Sequence, residues 1–106
     1  MSTRFACDIL AIPADERPSH RELTRRLMAI AAIRETTNGF TFEFSLEEHS
    51  AVSRFAASER LCCPFLALTL EVTGEQGPVR LHLTGPTGAK AFVRAELDLP
   101  PCTWTD

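Results

Sequence analysis

No run of apolar residues in this chain is long enough to span a bilayer, and the hydrophobic stretch near its start, Phe5 to Pro13, is too short for a secretory signal. The expectation is a soluble cytoplasmic protein with no membrane partner. Positive charge of the gathered kind is also lacking. Eleven Lys and Arg stand against fourteen Asp and Glu, for a formal net charge of −3, and they are scattered among acidic neighbours from Arg4 to Arg94. Without a basic stripe to track a phosphate backbone, nucleic acid drops out as an expected partner. No internal repeat or low-complexity linker interrupts the 106 residues. That length supports one core and not two, so a single domain over 1–106 is expected, with the unpatterned stretch 100–106 as a loosely held tail that includes Cys102 and Trp104.

Two motif spacings are missing as well. Gly85-Pro86-Thr87-Gly88-Ala89-Lys90 has glycines and a lysine but not the Gly-x-x-x-x-Gly-Lys-Ser/Thr spacing of a phosphate loop, and reads as a turn and helix start. The four cysteines, Cys7, Cys62, Cys63 and Cys102, do not form the two separated ligand pairs of a structural zinc site. In a reducing compartment they are expected as thiols rather than as a disulfide framework.

What is present reads as alternating helices and strands. Ser19-His20-Arg21-Glu22 has the pattern of a capping box, and Leu23, Leu27, Ile30, Ala31 and Arg34 follow at helical spacing. Thr36-Thr37-Asn38-Gly39 supplies a stop, with Asn38 or Gly39 expected in a left-handed conformation. Phe40, Phe42 and Phe44 alternate with Thr41 and Glu43, a half-buried strand. Ser45-Leu46-Glu47-Glu48 is a second capping box, opening a helix to Leu61 or Cys62 that Pro64 closes. Leu66, Leu68, Leu70 and Val72, then Val79, Leu81 and Leu83, alternate on either side of the turn Gly74 to Pro78 and predict a hairpin. Pairing Val72 with Val79 would set Glu71 opposite Arg80 and Thr69 opposite His82. A last helix is expected from Gly88 to Leu97. The fold class is α+β: a two-layer sandwich with a small mixed sheet of three strands, or four if Phe5 to Leu10 adds one, and helices packed on one face.

The chemistry concentrates at Glu59-Arg60-Leu61-Cys62-Cys63-Pro64-Phe65. At about 100° per residue, Val52, Phe55, Ala56, Cys62 and Cys63 share the face of the second helix that meets the sheet, and Glu59 projects near the middle of it. A carboxylate on an apolar stripe must be paired, protonated or bound to a ligand. An ion pair with an arginine of the first helix or with Arg94 is the structural explanation for Glu59, as burial as small hydrophobes is for the two cysteines. Adjacent helical residues point about 100° apart, so both sulfurs pack inward only if the helix unwinds before Pro64. No histidine is placed beside the pair: His49 lies ten residues from Glu59, His82 points to the polar face of its strand, and His20 sits at a helix start.

This chain resembles a group of small, uncharacterised bacterial proteins that share an E-R-x-C-C-P-F element, here Glu59 to Phe65. They also share a G-[FY]-x-F-x-[FL] strand, here Gly39 to Phe44, an L-T-G-P-x-G-[AV]-K-x-F element, here Leu83 to Phe92, and an early Cys-Asp, here Cys7-Asp8. The likeness spans most of the chain; it supports the choice of residues and implies no substrate.

The expected function is a thiol-rich binding or sensing module. Cys62 and Cys63 are the candidate metal ligands, with Cys7 as a third if the N-terminal segment docks beside them, and Glu59 is the charge that orients the bound group. Such sulfur ligands suit Hg(II), As(III), Cu(I) or Zn(II). One alternative is a thiol redox switch, although Glu59 and the helix C-terminus both disfavour a free thiolate. Another is a non-catalytic interaction domain, a homodimer with inert cysteines whose polar sheet face or Trp104 meets a partner. An enzyme using Glu59 with a cysteine nucleophile ranks lowest, because no histidine accompanies the thiol.

Overall fold

The computed structural model describes residues 7–99. Its regular elements are helix α1 (Arg17–Ile30), strands β1 (Ala32–Thr36) and β2 (Gly39–Phe44), helix α2 (His49–Cys62), strands β3 (Ala67–Val72) and β4 (Val79–Thr84), and helix α3 (Ala89–Glu96). Short 3-10 turns at Ile9–Ala11, Ala14–Glu16 and Leu46–Glu48 precede α1 and α2. The fold is α+β, with four strands in the order β1-β2-β4-β3.

All three pairings are antiparallel, so the sheet is not mixed. The helix α2 carries the chain from β2 to β3, but β3 occupies the edge and β4 returns between the two, which turns the crossover into an antiparallel arrangement. The hairpin has the expected register, with Val72 opposite Val79, Glu71 opposite Arg80 and Thr69 opposite His82. Its turn holds Glu75 and Gln76 at φ 55° and 60°.

The fourth strand comes from an unexpected place. Helix α1 ends at Ile30, where Ala31 turns extended, and Arg34 belongs to β1 rather than to a further helical turn. Ile33 faces Phe42 across the hairpin β1–β2, so burial of an isoleucine against the phenylalanine row outweighs one more helical turn. The hairpin reverses at Thr37 and Asn38, and neither Asn38 nor Gly39 has positive φ. Gly39 is needed for a different reason, since a β-carbon there would collide with the Leu83 carbonyl of the neighbouring strand. Residues 7–10 form no strand: Ile9 begins a 3-10 turn, while Phe5 and Ala6 lie outside the described residues, as does the tail 100–106.

Helix starts also differ from the capping-box reading. Helix α1 begins at Arg17 with Pro18 in its first turn, where a missing N–H costs nothing, and Ser19 is inside it. Ser45 precedes a 3-10 turn without a side-chain cap, its carbonyl accepting from the Glu48 N–H at 3.0 Å.

One face of the sheet is apolar. Ile33, Phe40, Phe42, Phe44, Val79, Leu81 and Leu83 join Leu27 of α1, Val52 and Phe55 of α2 and Val93 of α3 in a single core. The other face is polar and internally paired: Arg80 Nε donates to Glu43 at 2.9 Å, and the His82 ring bonds Glu71 at 2.8 Å and Thr41 at 3.0 Å. The His82 bond holds the Glu71 carboxyl below its ordinary value.

Candidate functional site

Three segments meet where α2 ends. Helix α2 unwinds at Cys63, whose φ −123° and ψ 77° leave helical space while its N–H still bonds the Glu59 carbonyl at 2.7 Å. That single non-helical residue, imposed by Pro64, lets both cysteines turn inward: Cys62 is 6% exposed and Cys63 1%.

The N-terminal segment does dock there. Arg17, in the first turn of α1, donates to the carbonyls of Ile9, Leu10 and Ile12 at 2.9–3.2 Å. Ile12 is buried in the core beneath this clamp. The Asp8 N–H donates to the Cys62 carbonyl at 2.8 Å, satisfying an acceptor left open by the helix end, and the Asp8 carboxylate accepts from Leu10 N–H at 3.0 Å. Cys7 is thereby carried against Cys63, with their α-carbons 4.5 Å apart and their sulfurs joined as a disulfide. The three sulfurs of Cys7, Cys62 and Cys63 all lie within 4.8 Å of one another. The grouping expected of Cys7, Cys62 and Cys63 is therefore present, but two of the three are oxidised rather than free. Among the described residues Cys62 is the free thiol.

Glu59 stands beside this cluster, 3% exposed. Its Oε1 is 3.4 Å from Cys63 Sγ, a separation at which the reduced thiol donates to the carboxylate, whereas the disulfide has no proton to give. Its Oε2 lies 3.0 Å from Nε2 of His20. Among the described residues no arginine pairs with Glu59: in α1 Arg17 holds the carbonyls of Ile9 and Ile12, Arg25 pairs with Glu22 and Arg26 with Glu48, while Arg94 pairs with Glu35 at 2.8 Å and lies 5.2 Å from the Phe40 ring centroid. His20 is 7% exposed and stacks on Phe55 with ring centroids 5.6 Å apart. Its second nitrogen, Nδ1, is buried with no partner among the described residues.

His20 is thus the histidine that sequence reasoning missed. The signal was there, because His20, Leu23 and Leu27 follow one another at spacings of three and four, and all three are buried in α1. Treating Ser19 as a cap pushed His20 to the rim of the helix; starting the helix at Arg17 brings it onto the face that meets α2.

Cys62 has its pKa pushed up to about 11, first by burial, then by the negative charges of Glu59 and Glu96. At neutral pH it is a protonated thiol. A cavity of about 780 Å³ opens beside the cluster, lined among others by Cys7, Cys62, His20, Glu59, Arg21 and Glu96, but not by Cys63. Of the two disulfide partners, Cys7, which is half-buried, lines the cavity and Cys63 does not. No protein-family model, curated protein or solved structure matches the chain. Among the described residues no helix is long and apolar enough to cross a membrane.

Proposed function

We propose that this protein is a small thiol-based binding and sensing module whose reduced Cys7, Cys62 and Cys63 hold one soft metal or metalloid ion. The observation that carries this reading is the gathering of three sulfurs, from positions 56 residues apart in the chain, within 4.8 Å. Metal–thiolate bonds of about 2.3 Å, the zinc value, allow sulfur pairs no more than about 4.6 Å apart. Three sulfurs around one ion at that bond length sit about 4.0 Å apart, so the widest pair closes by less than about an ångström while Cys7 and Cys63, once their bond is reduced, open to the same spacing. Three sulfur ligands suit Hg(II), As(III) or Cu(I) better than tetrahedral Zn(II), which lacks a fourth sulfur among the described residues. Glu59 and His20 shape the wall behind the sulfurs; neither is needed as a ligand.

Native mass spectrometry of the reduced full chain tests it, with Hg(II), arsenite, Cu(I) and Zn(II) added in turn. One ion per chain is expected, lost in the Cys62→Ser/Cys63→Ser variant. Equal weak uptake by both proteins would instead favour an interaction domain, such as a homodimer, with structural cysteines.

A second reading draws on the Cys7–Cys63 bond itself. In it the pair is a reversible redox element, and oxidation closes the ion site by consuming two of its three ligands. Counting thiols in denaturant before and after mild peroxide, with each cysteine identified by peptide mass, checks this: loss of Cys7 and Cys63 together is expected, and loss of neither counts against it.

A further inference from the structure

We infer that the cavity beside the cysteine cluster binds a low-molecular-weight thiol bearing both a carboxylate and an ammonium group, which opens the Cys7–Cys63 disulfide by attacking Cys7. The inference rests on the redox reading above and names the reaction partner of that element.

The cavity volume of about 780 Å³ lies within the range of small-molecule sites, roughly 300–1,000 Å³. Its charges are arranged for a zwitterion. Arg21 lines it with no ion-pair partner among the described residues, whereas Arg25 beside it is already paired with Glu22. Glu96 and Asp98 line it too, again without ion-pair partners among the described residues. An unpaired cation and two unpaired anions around one hollow would receive a carboxylate and an ammonium respectively. His20 and Glu59, paired with each other at 3.0 Å, form part of the cavity wall beneath these charges.

The chemistry follows from which sulfur can be reached. Cys7 lines the cavity and is half-buried, while Cys63 is 1% exposed and does not line it. The incoming thiolate RS⁻ forms a bond to Cys7 Sγ, and the Cys7–Cys63 bond breaks with its electron pair on Cys63 Sγ. That sulfur takes up, through solvent, the proton the incoming thiol released, and its S–H then faces Glu59 Oε1 at 3.4 Å. A second RSH attacks the R sulfur of the mixed disulfide, freeing the Cys7 thiol and releasing RSSR. The net exchange is one protein disulfide and two RSH for two protein thiols and RSSR, with the small thiol oxidised and the protein reduced.

The test uses the oxidised full chain with L-cysteine and with uncharged 2-mercaptoethanol, quenched in acid and mapped by peptide mass, with rates corrected for thiolate fraction and intrinsic nucleophilicity. The adduct is expected on Cys7, and L-cysteine should react about two- to fivefold faster, the scale of one exposed ion pair. Arg21→Ala, on an exposed side chain, should bring L-cysteine down to the 2-mercaptoethanol rate and leave the latter unchanged. Equal corrected rates, an adduct on Cys63, or a variant that slows both thiols would overturn the inference. If no disulfide forms under mild peroxide, the redox reading fails by itself. The cavity is then judged with reduced protein and L-cystine, where Arg21-dependent capture at Cys7 supports it and indiscriminate capture refutes it. Ion binding in the mass spectrometer is independent of all these outcomes.

Discussion

Reducing the Cys7–Cys63 bond should cost this protein a large part of its stability, and the size of the effect can be worked from chain connectivity. The bond closes a loop over a separation of 56 residues. In the chain-entropy treatment such a cross-link removes about 14 cal/mol/K from the unfolded ensemble, or about 4 kcal/mol at 25 °C. For a domain of 106 residues the unfolding entropy near the midpoint makes each kcal/mol worth about 4–5 °C, so reduction should lower Tm by roughly 15–20 °C. This is a ceiling, because engineered and native bridges often deliver less than the entropy alone. The figure counts the cross-link alone and leaves out the Asp8–Cys62 backbone bond and the Arg17 clamp, which involve no sulfur. The assay is a pair of circular-dichroism melts with and without a non-thiol reductant, repeated on Cys7→Ser. The variant should melt with the reduced protein and ignore the reductant. A shift below about 5 °C, or a Cys7→Ser protein as stable as the oxidised one, would show that the segment carrying Cys7 is not tied to α2 in the way described.

Two further outcomes follow from the buried groups. His20→Ala should destabilise the fold by about 3–5 kcal/mol, the cost of leaving one member of a buried pair alone, since Glu59 is 3% exposed and pairs with no arginine among the described residues; urea unfolding of the oxidised proteins measures it. In the oxidised protein, Cys62 should resist iodoacetamide at neutral pH and gain reactivity steadily up to about pH 11, where its thiol titrates, as peptide mapping of the alkylated residue reads out. Because burial raises this pKa, the stability that the thiol form contributes is present below the ordinary thiol range and declines as pH rises through it toward 11. Alkylation that levels off near the pKa of a free cysteine would refute the burial argument.

Much of the architecture could be read from residue order, for reasons that are local. Strict alternation of Phe40, Phe42 and Phe44, and of Leu68, Leu70 and Val72 against Val79, Leu81 and Leu83, left one sensible register, because a slip by one residue would expose every large side chain. Glu59 stood out because a charge on an apolar stripe demands a partner, whatever that partner is. Ala32 to Thr36 was misread because a short segment after a helix can satisfy either period, and only the proximity of Phe42 decides for the strand.

The order of residues alone determined that two thiols and an acid would share the end of α2, since Pro64 stops the helix wherever the rest of the chain goes. It could not determine that Cys7 would reach them. That depended on Arg17 clamping the turn at Ile9–Ala11 and on a helix-end carbonyl waiting for the Asp8 N–H. Likewise, the identity of Glu59's partner was decided by how α1 crosses α2, which brings His20 and Glu59 together across 39 positions of chain. Pairings of that range depend on the packing of whole elements, and no local pattern encodes them.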